Sequence, residues 1–255
     1  MRYNTRMALS WGKRRKFLYT AVAAVIGLVV LALVYNAFFN NAPTCFDGAQ
    51  NGTERGVDCG GSCALVCKAD ARSPKVLWNR VFEVAPHVYT AAAYIQNPNI
   101  GAGARDVRYS FQLFDEKNNL VIERVGTMSL PPVQTIPVIE ANIDVGTRSV
   151  SKALFAFSAE PVWYKGGTLP LLRVGNQYLA PDGSQLSATI TNESLTDANK
   201  VTVAAVLFDG AGVARAASKS VFTRIPRKSS APVVFTWAGG VPNIVRAEIT
   251  VLPSF

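Results

Sequence analysis

An unbroken run of 23 uncharged residues, Phe17 to Phe39 (FLYTAVAAVIGLVVLALVYNAFF), constrains this chain more than any other feature. As a helix rising about 1.5 Å per residue it reaches about 35 Å, enough to cross a hydrocarbon core of about 30 Å with some tilt. A helix packed on a soluble domain keeps one polar face, and this run has none. It is too long for the apolar segment of a signal peptide, no small-x-small site follows it, and Ala42-Pro43-Thr44 before Cys45 is a poor lipobox. The run therefore reads as an uncleaved transmembrane helix.

Its flanks set the orientation. Arg2, Arg6, Lys13, Arg14, Arg15 and Lys16 precede it without an acidic residue, and residues 40–44 after it carry no charge. Basic residues resist translocation, so the N-terminus is expected in the cytoplasm and everything after the helix outside the cell membrane. The net charge of +9 is mostly this signal. With those six set aside, 20 of the 26 basic residues face 17 acidic ones, a net +3 over the remaining 239 residues. That balance excludes a nucleic-acid-binding surface.

All four cysteines, Cys45, Cys59, Cys63 and Cys67, fall in one short Gly-rich segment, and none follows. An even count in an exported segment with few apolar residues reads as two disulfides, with the pairing left open among three possibilities. A tetrathiolate zinc site is the competing reading, weakened because Cys45 stands fourteen residues apart from the rest. Asp47, Asn51, Glu54 and Asp58, interspersed with Gly48, Gly52 and Gly56, are candidate calcium ligands, though their spacing is not that of an EF-hand; turn formation explains the same residues. The pattern C-x-D-G-x-x-N-G-x-E-x-G-V-D-C-G-G-x-C resembles a short cysteine-rich motif of bacterial surface proteins. The resemblance implies a surface location and no particular activity.

Beyond Lys75, short β-branched and aromatic runs alternate with turn signals. The clearest strand is 107–113, with Val107, Tyr109, Phe111 and Leu113 on one face and Arg108, Ser110 and Gln112 on the other. It stops at the turn Asp115 to Asn119, and Leu120 to Ile122 starts the return strand. The same unit recurs 94 residues later. Leu113-Phe114-Asp115 matches Leu207-Phe208-Asp209, Pro132 matches Pro226, and 152–157 matches 246–251. Ile95-Gln96-Asn97 matches Ile190-Thr191-Asn192 with one residue gapped. The expected fold is all-β: two tandem antiparallel immunoglobulin-like β-sandwiches after a single N-terminal helix. The expected divisions are a basic tail (1–16), the helix (17–39), a Cys-rich collar (40–72) and sandwiches at 73–165 and 166–255.

Phe111-Gln112-Leu113-Phe114-Asp115 resembles the F-x-L-Y-D signature of a small exported bacterial domain. Asn97-Pro98-Asn99 resembles the strand ending of the late-embryogenesis-abundant (water-stress, WHy) β-sandwich. The resemblance covers residues 75–160 and implies a binding or structural module. The second copy departs from it, with Ala205 in place of the leading aromatic and Asn192-Glu193-Ser194 in place of Asn-Pro-Asn.

Signs of catalysis are missing. His87 is the lone histidine, and no nucleophile elbow, P-loop or dinucleotide fingerprint occurs. Trp78, Trp163 and Trp237 read as core anchors first and ligand platforms second. Arg224, Arg227 and Lys228 form a small basic patch. The sequence thus points to a non-enzymatic, membrane-anchored envelope protein acting in adhesion, scaffolding or partner binding. Its expected partners are the membrane and another surface protein or wall polymer, with no cofactor beyond the calcium candidate. An envelope hydrolase or transferase accessory and a calcium- or zinc-dependent surface sensor are the alternatives.

Overall fold

A computed structural model describes residues 11–39, 43–132, 134–166 and 169–253. Helix α1 (Trp11–Phe39) covers the uncharged run, and Lys13, Arg14, Arg15 and Lys16 are helical within it. Lys and Arg are good helix formers, and the helix propagates back through them although positive charge opposes the dipole at that end. Arg2 and Arg6 lie outside the described residues. The side chains of residues 11–36 of α1 are exposed, and Trp11–Asn36 is long and apolar enough to cross a membrane.

Thirteen strands among the described residues follow. The first seven are β1 (Lys75–Ala85), β2 (Val88–Gln96), β3 (Ala102–Phe114), β4 (Leu120–Leu130), β5 (Thr135–Asp144), β6 (Lys152–Phe157) and β7 (Trp163–Lys165). The other six are β8 (Leu172–Leu179), β9 (Gln185–Asn192), β10 (Ala198–Asp209), β11 (Ala214–Ile225), β12 (Ser230–Thr236) and β13 (Ile244–Leu252). They pair antiparallel into four sheets, β1-β2-β5, β4-β3-β6 with β7 added to β3, β12-β9-β8 and β11-β10-β13.

The repeat is visible in topology and in register. Sheet β1-β2-β5 has its counterpart in β8-β9-β12, and β4-β3-β6 in β11-β10-β13. Leu113 faces Ala153 in one copy and Leu207 faces Ala247 in the other. The β3–β4 ladder slips between Leu113 and Phe114, and β10–β11 slips between Leu207 and Phe208. Two left-handed positions recur at the same offset: Asp106 (φ 50) with Lys200 (φ 48), and Asn118 (φ 62) with Gly212 (φ 74). The second pair sits in the β3–β4 and β10–β11 turns, where only Gly or a short amide tolerates that backbone cheaply.

Each copy closes on its own core. Phe111, Leu113, Ile95 and Ile136 fill the first, and Leu186, Ile190, Val203 and Leu207 the second, all essentially inaccessible. Where β10 lacks an aromatic at Ala205, Phe235 and Trp237 from β12 and just beyond it supply bulk to the same core.

A third apolar cluster joins the copies. Ala92 of β2 and Ile139 of β5 pack against Ala204, Val206 and Phe208 of β10 and Ala214 and Ala217 of β11, flanked by Trp78, Phe82 and Tyr94. The outer face of β1-β2-β5 therefore lies on the outer face of β11-β10-β13, and the two sandwiches form a four-layer stack. The repeat puts Val201, Val203, Ala205 and Leu207 of β10 on the core face, and Ala204, Val206 and Phe208 between them are buried as well, in the seam. A strand covered on both faces has no reason to alternate.

The seam joins non-equivalent faces, and the chain marks where such stacking stops. Ala204 and Val206 on β10 correspond to Ser110 and Gln112 on β3. Ala92 and Tyr94 on β2 correspond to Ser187 and Thr189 on β9. The unstacked outer faces are thus polar where the stacked ones are apolar. A carboxylate placed in the seam would be buried without a partner. Val206→Asp is expected to cost about 3–5 kcal/mol in denaturant unfolding of the full chain; a loss below about 1 kcal/mol, the scale of an ordinary surface change, would show that the seam contributes little.

Candidate functional site

The residues singled out in the sequence converge on the collar and its seat on the first sandwich. Two disulfides close the collar, Cys45–Cys63 and Cys59–Cys67, and there is no free cysteine among the described residues. Paired sulfurs offer no thiolate, so the tetrathiolate zinc arrangement is not formed. Glu54 Oε1 lies 3.3 Å from Cys63 Sγ, a contact without a proton to share, because that sulfur is oxidised.

The four calcium candidates fold the backbone around these bridges. Asp47 accepts hydrogen bonds from the Thr44 and Ala49 N–H groups and from Asn51 Nδ2, at 2.9–3.1 Å. Those bonds, led by the one from Asn51, lower its carboxyl pKa. Asp58 accepts from the N–H groups of Asp47 and Gly48, and Glu54 from those of Asn51 and Asp58. Their carboxylates are occupied by donors inside the loop, which is what turn formation requires of them.

The collar is seated by backbone pairing and by one asparagine. Val66 N–H donates to the Trp163 carbonyl and Lys165 N–H to that of Ala64, and Lys165 Nζ donates to the Gly61 carbonyl. Asn99 takes both backbone groups of Arg72, accepting from its N–H at 2.7 Å and donating to its carbonyl at 2.8 Å. Asn97 stands behind it, fully buried. Its Nδ2 donates to the carbonyls of Ala102 and Pro131, and its Oδ1 accepts from the Asn99 backbone and side chain. Pro98 between them completes the tight connection from β2 to β3. These three residues, quoted above for a family resemblance, are a polar clamp.

The second copy keeps the clamp despite its altered motif. Asn192 Nδ2 donates to the carbonyls of Thr196 and Ile225, the positions 94 residues beyond Ala102 and Pro131, and its Oδ1 accepts from Ser194 N–H. Ser194 Oγ accepts from Leu171 N–H at 2.6 Å, so the residue in place of Asn99 still holds the incoming chain. Reading the motif as Asn-Pro-Asn conceals this, because only the first asparagine is indispensable to the geometry.

The remaining motif residues are structural too. Phe111 and Leu113 are core residues, and Phe114 lies under the Lys152 ammonium. Asp115 caps the β3–β4 turn by accepting from the N–H groups of Lys117 and Asn119, and Asp209 does the same for Ala211 and Val213. Both carboxyls are held below the usual range, Asp115 chiefly by Asn119 and Asp209 chiefly by the Val213 N–H. Trp163 and Trp237 are buried in the two cores, while Trp78 stacks on Tyr94 at 4.6 Å beside the seam. His87, in the β1–β2 turn, pairs through Nδ1 with the Arg148 carbonyl at 2.9 Å.

Two polar ties across the seam escaped the sequence reading. Tyr94 Oη donates to Glu248 at 2.7 Å, beside an ion pair from Arg246, whose guanidinium also lies 4.2 Å over the Phe208 ring. Glu140 accepts from Tyr109 Oη at 2.5 Å and meets Lys219 Nζ at 3.4 Å, next to a cavity of about 220 Å³ between the sandwiches. No local pattern marks these residues; their partners are 31 to 154 positions away. Burial raises the Tyr109 pKa, reinforced by Glu140, so this phenol is a hydrogen-bond donor and not a base.

Neither the protein-family models nor the curated proteins give a match to this chain. The geometry of the site is that of a set of joints.

Two predictions follow from these joints. Asn97→Ala is expected to destabilise the first sandwich by about 1–3 kcal/mol for each polar group left unpaired, whereas Asn99→Ala should mainly free residue 72. Chemical denaturation reads the first and faster tryptic cleavage after Arg72 the second; equal behaviour of the two variants would contradict the clamp. The second prediction concerns alkali. Burial pushes the Tyr94 pKa up to about 12, although Arg246 pulls it down. A raised pKa means stabilisation that is complete below the unfolded value of about 10 and lost as pH climbs through the folded one. Unfolding free energy should fall between about pH 10 and 12, and less steeply in Tyr94→Phe. Identical slopes would remove Tyr94 as the cause.

Proposed function

We propose that this chain is a single-pass envelope protein with a cytoplasmic N-terminus, whose collar and two sandwiches stand outside the membrane as a non-enzymatic module for adhesion, scaffolding or partner binding. The observation that carries this reading is how the motif side chains are used. Asn97, Asn99, Asp115, Asn192 and Asp209, which a binding or catalytic site would leave reachable, are all committed to backbone groups. What remains for partners is surface on a stiff body. The outer sheet of the first sandwich exposes Val125 and Leu154, and that of the second exposes Tyr178 and Val234. Each pair sits among polar neighbours, as small recognition patches do. Two disulfides support the extracytoplasmic assignment, since such bridges persist in oxidising compartments.

The test has two stages, both on the full chain in cells. Protease added to intact cells should destroy a C-terminal tag that inside-out vesicles protect, and the opposite pattern would sink the topology. Photo-cross-linkers at Val125 and Tyr178 should then give a discrete product that Leu154→Arg or Val234→Arg, respectively, abolishes. Cross-linking unaffected by these changes would overturn recognition through the outer sheets.

A further inference from the structure

Where the collar meets the first sandwich, a cleft of about 570 Å³ opens between the loop carrying Gly60 and Gly61 and the 97–101 connection. Three cations line it from separate parts of the chain: Arg55 in the collar, Arg72 at its exit and Lys165 on β7. Their convergence is a product of the fold, because no local run of the sequence contains them.

Each cation stands on backbone that is held in place. Asn99 grips both main-chain groups of Arg72 at 2.7 and 2.8 Å. Lys165 pairs with Ala102 across β7 and β3, its N–H donates to the Ala64 carbonyl, and its Nζ reaches the Gly61 carbonyl on the cleft wall. Arg55 lies so close to Gly60 that a Cβ at that glycine would stand 2.7 Å from the arginine's own Cβ. Groups on a fixed backbone bind without first having to be ordered.

The charge inside the cleft is uncompensated. Asp70 is the only carboxylate among the described lining residues and meets Arg55 at 3.4 Å, which leaves an excess of two positive charges. The collar's other acids are used elsewhere: Asp47, Glu54 and Asp58 accept from N–H groups inside the 44–58 turn and do not line the cleft. Glu160 lines a neighbouring cavity and is paired with Lys68. Charges that do not face the cleft are screened over about 8 Å at physiological ionic strength. Gathering like charges opposes folding, and an anion relieves that cost.

Two guanidinium forks and an ammonium suit the oxygens of a phosphate. A phosphate monoester carries about two negative charges at neutral pH, the excess the cleft leaves open, whereas a carboxylate supplies one. The volume is that of a small-molecule site and exceeds what a bare ion needs. Pro98 and Ile100, the latter 90% exposed, add an apolar wall. We infer that this cleft binds a phosphate monoester, with the phosphate held by Arg55, Arg72 and Lys165 and the carbon skeleton lying against Pro98 and Ile100. The site lies apart from the outer sheets, so recognition there and binding here stand or fall separately.

Calorimetric titration tests it, on the full chain in phosphatidylcholine nanodiscs with its disulfides intact, using glycerol 3-phosphate at fixed ionic strength. One saturable site per chain is expected, with inorganic phosphate competing and glycerol giving no heat. Arg72→Gln, which leaves the Asn99 bonds to the backbone in place, and Lys165→Gln should each weaken binding about tenfold, the scale of one lost charge-assisted hydrogen bond. Asp70→Asn should tighten it several-fold, a gain that a damaged fold would not give. Lys68→Gln, outside the cleft, should leave it unchanged. Absence of a saturable site would overturn the proposal. So would weaker binding in Asp70→Asn, or equal losses in Lys68→Gln and Arg72→Gln, which would mean bulk attraction only. Discs doped with phosphatidic acid identify the source of the ester. Loss of the glycerol 3-phosphate isotherm there assigns a lipid headgroup, an unchanged isotherm assigns a soluble or polymer-borne ester, and both retain the site.

Discussion

The seam between the sandwiches is the contact on which the rest of the architecture depends. Small residues, Ala92 on β2 and Ala204, Ala214 and Ala217 opposite, let two sheets that would otherwise face water come together, and Val206, Phe208 and Ile139 fill the space between them. Burying apolar area at roughly 25 cal/mol per Å² is the driving force, and four layers bury more per residue than two separate sandwiches of this size could. The polar ties Tyr94–Glu248 and Glu140–Lys219 set the lateral position of one sheet on the other, since each requires a particular pair of side chains to meet.

A second line of connection runs along the chain. Helix α1 leads within a few residues into the collar, the disulfides hold the collar together, and Asn99 with the Leu65–Tyr164 bridge fastens it to the first sandwich. Asn97 and Asn192 do the same service inside each sandwich, tying the strand that ends to the strand that begins. The clamp is an amide because the site needs two donors and an acceptor on one short side chain, fully enclosed. A carboxylate would face two carbonyls there, and a hydroxyl would leave one of them bare. Buried hydrogen bonds and covalent bridges thus join the collar to the first sandwich, and the seam joins the second sandwich to the first.

Much of this was legible in the sequence, and the failures have particular causes. The 94-residue repeat was readable because strand register and turn chemistry are local: Leu113-Phe114-Asp115 and Leu207-Phe208-Asp209 carry the same bulge and the same Asp-capped turn. The apolar run of α1 was readable because composition over 23 residues suffices. The disulfide pairing was not, because all four cysteines are close enough in sequence for any connectivity. The role of Asp47, Glu54 and Asp58 was ambiguous because a carboxylate that folds a loop onto N–H groups has the same local pattern as one that binds an ion. The departure of the second copy from Asn-Pro-Asn looked like loss of a site, whereas the side chain that matters, Asn192, is present.

What the sequence determined by itself is everything set by near neighbours: an apolar helix, a cysteine-rich segment, two copies of one antiparallel unit and the residues facing each core. What only the tertiary structure decided is how the copies meet. Ala204 and Val206 next to Ser110 and Gln112 at matched positions announce that one face differs, but not what covers it. Alternation along a strand reports burial on each face and carries no address for the partner surface. That address comes from the three-dimensional meeting of Tyr94 with Glu248 and Glu140 with Lys219, pairs far apart in the chain that no local rule brings together.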